Sequence, residues 1–181
     1  MAAPARLNAC IIGTPLGDML GATVAAGGAE SVCLLEFHDR RALPTERRDL
    51  ERRFACPWPD PAEPTALLRR LAAQVAAYFE GSLKAFDVPL ATPGTPFQQR
   101  VWSELLRIPY GRTVTYGGLA ERTASVARAV GQANGANRIA IVVPCHRVID
   151  SGGGLVGYGG KLWRKERLLE LEGAMTPSLL R

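Results

Sequence analysis

The sequence predicts an α/β N-terminal domain, made of a small antiparallel sheet plus a helix, followed by a mostly α C-terminal domain with a helix-turn-helix. Three observations predict this order. Short apolar or alternating segments fill the first part of the chain, an amphipathic segment follows, and two short helical segments joined by a tight turn lie in the second half. The boundary falls at residues 91–94, so the domains cover residues 1–91 and 95–181.

The N-terminal sheet is predicted from three strand-like segments. Residues 7–12, 19–24 and 31–37 are apolar or alternate between apolar and polar positions, and glycine-containing turns separate them. These segments are expected to form a small antiparallel sheet. Residues 86–90 have the composition of one more strand.

One amphipathic helix is predicted over residues 64–80, because its apolar residues recur at helical spacing. The apolar face consists of Leu67, Leu68, Leu71, Val75, Tyr78 and Phe79. Two preceding segments differ from it. Residues 40–53 are dense in both charges and are expected to form a solvated helix or a loop, whereas residues 56–64 contain four prolines and must be irregular.

The C-terminal domain is expected to begin with a helix. Thr95 and Gln98 have the spacing of a capping box, and Pro96 between them favours the first turn of a helix. This helix would run to Ile108 and end at residues 109–111.

Two shorter helices complete the predicted helix-turn-helix. The first begins near Thr115, and the second covers residues 126–133 with Ser125 as its N-cap. Arg128 and Gln132 would lie on the exposed face of the second helix, which is the arrangement of a polar reading face.

The basic charge of the chain belongs to its second half. Residues 1–95 contain 10 Lys and Arg against 11 Asp and Glu, a net charge of −1, whereas residues 96–181 contain 12 against 6, a net charge of +6. This asymmetry favours a domain that binds a polyanion, because neutralising phosphates drives non-specific affinity for DNA. A basic surface that only maintains solubility is the alternative.

Composition also excludes some classes of protein. No segment approaches the roughly 18 consecutive apolar residues of a membrane span, and the first residues lack the layout of a signal peptide, so we expect a soluble cytoplasmic protein. The four cysteines form no Cys-x-x-Cys pair, which argues against a zinc ribbon. Cys10, Cys33 and His38 could supply part of a zinc site, but no fourth ligand is apparent, and we expect no bound metal.

The strongest chemical signal is Cys145 beside His146, within residues 144–148, between an apolar run and a glycine-rich stretch. A cysteine with an unperturbed pKa near 8.5 is only a few per cent thiolate at neutral pH, so a nucleophilic cysteine needs a base or a positive charge nearby. Neighbouring residues of a strand point to opposite faces. The imidazole must therefore reach the sulfur around a turn or through a water.

Residues 144–148 read Pro-Cys-His-Arg-Val, which resembles the active-site motif of the O6-alkylguanine-DNA alkyltransferases. These DNA-repair proteins transfer an alkyl group from guanine O6 to their own cysteine. The resemblance covers about residues 95–172 and includes residues 111–116, 127–131, 134–137 and 157–160; before residue 95 only residues 14–17 look similar. It implies a ribonuclease-H-like N-terminal domain and a winged helix-turn-helix whose second helix enters the minor groove of DNA.

The resemblance also assigns catalytic roles. It implies a relay in which Cys145 is the nucleophile, His146 acts on it through a water, and Glu172 orients the imidazole. Asn137 would hold the turn near the active site. Tyr116 would pack by the phosphate of the flipped nucleotide and protonate the departing guanine.

The remaining site residues concern DNA and the base. The resemblance places Arg128 in the gap left by the flipped base, with Tyr116, Gly117 and Ser151 also at the DNA. Flipping is required because the alkyl carbon cannot be attacked inside the base stack. The guanine pocket would be lined by Val156, Gly157, Tyr158 and Gly159.

Direct-reversal repair of O6-alkylguanine is the predicted function, with O4-alkylthymine as a further expected substrate. The thioether product has no easy hydrolysis, so each molecule should act once and needs no cofactor. The expected partner is double-stranded DNA containing the lesion, and the protein is expected to be a monomer without an obligate protein partner. The alternatives are a lesion-binding sensor without transfer, a damage-responsive regulator and a Cys-His hydrolase.

The chain departs from the family pattern at three positions. Arg138 replaces a usual proline, which would make the turn less rigid, and Lys161 replaces a usual glycine beside the pocket loop. Gly159 leaves the pocket wall without a side chain, which is expected to change the tolerance for bulky alkyl groups.

Overall fold

The computed structural model describes residues 4–60 and 62–176, and the chain divides into two compact units. The first unit comprises Met1–Pro93 and Arg138–Ala140, and the second comprises Gly94–Asn137 and Ile141–Arg181. The sequence gives no sign that residues 138–140 belong with the first unit. The domains proposed from sequence, residues 1–91 and 95–181, remain a prediction.

The first unit contains the predicted antiparallel sheet, with strands β1 (Arg6–Ile12), β2 (Met19–Ala26) and β3 (Ala29–Phe37) in the order β1-β2-β3. The prediction of three N-terminal strands is therefore confirmed. Gly27 and Gly28 both have positive φ angles, of 58° and 84°, in the tight turn between β2 and β3. Such a turn matches the twist of the flanking strands and strongly favours glycine.

Two helices follow the sheet in the first unit, α1 (Leu43–Phe54) and α2 (Ala66–Phe79). The N-cap Thr65 accepts a hydrogen bond from the Leu68 N–H at 3.2 Å, which satisfies one of the free donors at the start of α2. The buried face of α2 is formed by Leu68, Leu71, Val75 and Tyr78. A Cβ at Gly21 would lie 2.9 Å from Ile12 Cδ1 but at an ordinary contact distance of 3.6 Å from Leu68 and Leu71, so glycine leaves room for the Ile12 side chain of β1.

Helix α1 corrects the prediction that residues 40–53 are solvated. Leu43 and Leu50 of this helix are buried in the core beside the sheet. Asp49 is also buried, and it pairs with Arg53 of the same helix and with Arg138. The buried face could not be predicted from this highly charged segment, because Arg138, a partner of Asp49, lies 89 residues away in sequence.

The buried Glu36 of β3 predicts a loss of stability as the pH rises. Burial raises the pKa of Glu36 to about 7, although its ion pair with Arg40 opposes the rise. The unfolded chain loses this proton near the ordinary pKa of 4.5. Between these two values the folded state binds more protons, so the free energy of unfolding should fall as the pH rises through this window.

Glu36→Gln is expected to weaken this pH dependence, which urea unfolding between pH 4.5 and pH 8 would measure. Glu63→Gln removes an exposed carboxyl from the same unit and should leave the dependence in place. Equal pH slopes for Glu36→Gln and the parent protein would refute the prediction.

Residues 86–90 do not form the predicted strand. The segment makes a single parallel bridge, between Leu90 and Val32 of β3. Pro89 cannot donate a backbone hydrogen bond to a ladder, and the backbone of Asp87 is bonded to the side chain of Gln74 in α2. A second parallel bridge joins Leu35 of β3 to Ile139.

The second unit is mostly helical. Its elements are α3 (Pro96–Leu106), β4 (Val114–Thr115), α4 (Tyr116–Arg122), α5 (Ala127–Gly135), a 3₁₀ turn (Cys145–Arg147), β5 (Val148–Ile149) and α6 (Leu162–Leu171). The predicted capping box is confirmed, because the Thr95 side chain and the Gln98 side chain each bond the backbone N–H of the other. Strands β4 and β5 pair in parallel.

Helices α4 and α5 pack together after a short turn. Thr115 caps α4 by accepting from the Gly118 N–H at 3.0 Å, as its predicted start near Thr115 requires. The predicted Ser125 cap of α5 is wrong, because α5 begins one residue later and its N-cap Val126 makes no side-chain cap. Ala124 has a φ of 49°, so the backbone turns there and α5 begins only at Ala127.

Two further observations concern the described residues as a whole. None of their helices is long and apolar enough to cross a membrane. Within residues 4–60 and 62–176, no group of three or more His, Cys, Asp or Glu side chains is arranged to hold a metal ion. The structure therefore does not bring Cys10, Cys33 and His38 together as ligands. Cys33 is instead buried in the core, where burial raises its pKa to about 12.

Candidate active site

Cys145 lies on the 3₁₀ turn, not on a strand. The Cys145 N–H donates to the Val143 carbonyl at 2.8 Å, and the Arg147 N–H donates to the Pro144 carbonyl at 3.0 Å. Ile141, four residues before Cys145, has a φ of 70°, so the backbone is not extended at that position. The premise that Cys145 and His146 alternate along a strand is therefore wrong, since residues of a 3₁₀ helix are spaced three per turn.

Asn137 fixes the sulfur of Cys145. Its Nδ2 donates to the Val143 carbonyl at 2.9 Å and lies 3.2 Å from Cys145 Sγ. Asn134 holds the same residue from its backbone, because its Nδ2 lies 3.3 Å from the Cys145 carbonyl. All of these groups are buried. An N–H directed at sulfur is a suitable partner for a thiolate, which is the nucleophilic form of cysteine.

His146 is fully buried and is held by Glu172. Its Nε2 lies 2.8 Å from Glu172 Oε1. Arg147 binds both oxygens of the same carboxylate, through Nε at 2.8 Å and Nη2 at 2.9 Å, and its Nη1 donates to the Ile108 carbonyl at 2.6 Å. Glu172 is therefore a buried carboxylate with an imidazole and a bidentate guanidinium as partners.

The electrostatics of this group fix the imidazole tautomer. Burial tends to raise the pKa of Glu172, but the hydrogen bonds and charges of His146 and Arg147 outweigh it and lower the pKa to about 2. The ionised carboxylate can only accept, so Nε2 carries a proton. Burial lowers the pKa of His146, against the effect of Glu172, which favours a neutral ring at neutral pH.

A neutral imidazole with Nε2 protonated has an acceptor at Nδ1. This nitrogen is buried and has no hydrogen-bond partner in the part of the chain that the structure describes. His146 can therefore receive a proton at Nδ1 while Glu172 stabilises the positive charge that forms.

Tyr116 and Lys165 are two further polar residues of the site. The Tyr116 hydroxyl is 3.4 Å from the carbonyl oxygens of Val156 and Gly157. Burial raises the pKa of Tyr116, and a contact with Asn134 opposes the rise. The Lys165 ammonium is buried, donates to the carbonyls of Val148 and Val156 at 2.6 and 2.8 Å, and lies 6.0 Å from the centre of the Tyr116 ring.

An open cleft of about 780 Å³ adjoins these residues. Its walls come from α5 and from the loop before α6, and Tyr116 lies between them. The lining residues are Tyr116, Ala127, Arg128, Gly131, Gln132, Gly135, Val156, Gly157, Tyr158 and Gly159. Most of this lining is backbone or small side chains, so the cleft can admit a flat ring.

Known proteins are similar to this chain in sequence and fold. Residues 96–174 match the DNA-binding domain of 6-O-methylguanine DNA methyltransferases. The crystal structure of the Mycobacterium tuberculosis O6-methylguanine methyltransferase is 41% identical, with a TM-score of 0.75, over 97% of this chain and 98% of that chain. The chain belongs to the methylated-DNA–protein-cysteine methyltransferase family.

Two other relatives extend this family match. The curated Mycobacterium tuberculosis methylated-DNA–protein-cysteine methyltransferase is 57% identical over 107 residues, which are 58% of this chain but only 65% of that relative. The Mycobacterium tuberculosis protein in complex with DNA is 41% identical, with a TM-score of 0.73, over 95% of this chain and 94% of that chain.

The structure brings together most of the predicted site residues of this methyltransferase-family chain. Asn137 contacts the Cys145 sulfur and Glu172 contacts His146, and the peptide bond between Cys145 and His146 joins these two pairs; Asn134 links Tyr116 to Cys145. Arg128 and the predicted pocket residues line one cleft. Gly117 and Ser151 are exposed and do not line that cleft. The roles of all these residues remain predictions.

Three residues of the site were not assigned a part in the chemistry from sequence. Arg147 binds the carboxylate of Glu172, Asn134 bonds the Cys145 carbonyl, and Lys165 joins two backbone carbonyls. A signal for Lys165 does exist, because Leu168 and Leu169 lie three and four positions later on α6 and are buried. A lysine on that apolar face predicts a buried ammonium with specific partners.

Lys165→Met is expected to slow alkyl transfer by about 10-fold or more, because Lys165 holds two carbonyls in place. One belongs to Val148, shortly after the nucleophile, and the other belongs to Val156 in the cleft wall. Burial lowers the pKa of Lys165 to about 8, against the charges of Cys145 and Asp150, so its charge weakens in mildly alkaline solution. The measurement is the rate of transfer from O6-methylguanine in a duplex. Lys161→Met, at an exposed lysine before α6, is the control, and equal rates for both variants would contradict the prediction.

Proposed function

We propose that this chain repairs DNA by direct reversal, in which an alkyl group passes irreversibly from O6-alkylguanine to its own Cys145. The pairing of Asn137 with Cys145 and of Glu172 with the adjacent His146, beside an open cleft, carries this proposal. It provides a thiol, a neutral base with a free acceptor nitrogen, and a carboxylate that orients the base. Membership of the methyltransferase family supports the same activity.

The transfer is a single displacement. His146 accepts the thiol proton at Nδ1, through a water as the resemblance implies, and the sulfur attacks the alkyl carbon. The new S–C bond forms as the C–O6 bond breaks, and the electron pair of that bond remains on the guanine oxygen. The base takes up a proton and is restored to guanine. No electrons are exchanged with another reagent, so the proposal includes no cofactor.

The departing guanine needs a proton donor, and we assign this role to Tyr116. Its hydroxyl lies 3.4 Å from the carbonyl oxygens of Val156 and Gly157, which belong to the cleft wall. The cleft would hold the flipped base, with Tyr158 and Gly159 completing its wall. Arg128, exposed on α5, would occupy the gap that the base leaves in the duplex.

The binding partner we propose is double-stranded DNA that contains O6-alkylguanine, with O4-alkylthymine as a second lesion. The Mycobacterium tuberculosis relative crystallised with DNA supports this partner. Helices α4 and α5 would act as a winged helix-turn-helix in the minor groove, with Gly117 and Ser151 at the DNA backbone. We further propose a ribonuclease-H-like N-terminal domain and a cytoplasmic monomer.

A stoichiometric titration tests the proposal. A duplex with one O6-methylguanine is mixed with increasing amounts of protein, and the lesions that remain are counted after digestion to nucleosides. One lesion should disappear per protein molecule, after which repair stops. Continued loss of lesions at substoichiometric protein would contradict single-turnover transfer. Intact lesions with retained binding would favour the lesion-binding sensor.

A further inference from the structure

A second cleft in the C-terminal unit is lined by arginines. Its volume is about 620 Å³, and its walls come from the exposed face of α3 and from the turn between α4 and α5. Arg100 and Arg107 contribute from α3, and Arg122 contributes from the end of α4. We call this surface, formed by Arg100, Arg107 and Arg122, the arginine cleft. Gln99 and Ser103 add polar groups to the same walls.

The positive charge of the arginine cleft is only partly neutralised. Glu104 is the one carboxylate in its lining, and Arg107 binds it at 2.5 Å. Arg100 and Arg122 are exposed, and neither has a carboxylate partner among residues 4–60 and 62–176. The guanidinium carbon of Arg100 lies 5.6 Å from the centre of the Phe97 ring. Two guanidinium groups therefore face solvent with their donors available.

The arginine cleft is adjacent in the chain to the proposed DNA-reading helix. Arg122 is the last residue of α4, and Thr123 and Ala124 belong to the turn that follows it. Helix α5 comes next and carries Arg128, which lines the other cleft. In helix-turn-helix proteins the helix that precedes the reading helix crosses the DNA backbone. A duplex read by α5 would accordingly present phosphates to the end of α4 and to the face of α3 beside it.

We propose that the arginine cleft binds phosphates of the duplex that flanks the lesion. This inference rests on the proposed function, since it takes DNA as the partner. Guanidinium groups match phosphate oxygens with paired, charge-assisted hydrogen bonds. The excess of basic residues in the second half of the chain, a net charge of +6 over residues 96–181, favours a polyanion over a single small anion.

The test is the salt dependence of binding to an undamaged duplex, which needs no alkyl transfer. The double variant Arg100→Gln, Arg122→Gln is compared with the parent protein by fluorescence anisotropy at several salt concentrations. Two lost phosphate contacts should reduce the slope of log K against log salt by about 1 to 2 and weaken binding by about 10-fold at 0.1 M salt. Melting temperatures of both proteins verify that the variant is folded.

The matched control is the double variant Arg41→Gln, Arg48→Gln, which removes the same charge from exposed positions of the first unit. The proposal requires a clearly larger change in slope for the arginine-cleft variant than for this control. Equal changes in the two variants would overturn it, because they would reflect net charge alone. Since the duplex contains no lesion, a failure of alkyl transfer would not alter this result and would bear only on the proposed function.

Discussion

Cys145→Ala is expected to abolish alkyl transfer completely while binding to a lesion-containing duplex persists. The sulfur is the nucleophile that lies beside Asn137 and His146, and an alanine offers no atom that can accept the alkyl group. The small side chain also removes little volume from the turn, so the fold should survive. Transfer is measured with a duplex labelled in the O6-methyl group, and binding is measured with the same duplex by gel shift.

Cys56→Ala is the control for this variant, because Cys56 is a half-buried thiol in a loop of the first unit. It should transfer the label at the parent rate. Label transfer by Cys145→Ala, or its loss in Cys56→Ala, would show that the reactive thiol had been placed wrongly.

Glu172→Gln should produce the second largest effect, a fall of about 10²- to 10⁴-fold in the rate of transfer. The amide cannot stabilise a positive imidazole, and it leaves the buried guanidinium of Arg147 without its counter-charge. Breaking such a buried pair from one side destabilises a protein by about 3–5 kcal/mol. The melting temperature should therefore fall together with the rate.

The pH dependence of the rate, measured together with the melting temperature, separates chemistry from folding in the Glu172→Gln variant. Burial lowers the pKa of His146 and the Glu172 carboxylate opposes this effect, so the acid limb of the rate profile should lie below pH 6.5 in the parent and move to still lower pH in the variant. A structural defect alone would lower the rate without moving that limb. Glu80→Gln, which removes an exposed carboxyl of the first unit, is the control and should change neither the acid limb nor the melting temperature.

The elements that sequence predicted well are those encoded locally. The capping box of Thr95 and Gln98, the cap at Thr115 and the apolar stripe of α2 depend on residues three or four positions apart. Hydrophobic periodicity and capping chemistry act over that range, so they can be read without knowledge of the fold.

The errors arise where distant residues decide the structure. The face of α1 is buried because Asp49 and neighbouring acidic groups find cations elsewhere, including Arg138. Residues 86–90 lose their strand because Pro89 and the Gln74 side chain compete with a ladder. The segment before the 3₁₀ turn at Cys145 contains a positive φ at Ile141, which no propensity for isoleucine would suggest.

The candidate site shows the same division. Cys145 and His146 are neighbours whose chemistry can be inferred directly, whereas Glu172 lies 26 residues beyond His146 and was identified through family resemblance. Arg147 binds both oxygens of Glu172 and thereby stabilises the negative charge of this carboxylate. A pattern in sequence cannot reveal that a guanidinium and an imidazole will meet on one carboxylate.

The most direct test of alkyl transfer to Cys145 is the intact mass of the protein after incubation with a duplex that carries one O6-methylguanine. We expect a complete shift by the mass of one methylene group, mapped by peptide analysis to Cys145 and absent after incubation with undamaged DNA. An unchanged mass with tight binding to the lesion, or a methyl group on any other residue, would contradict it.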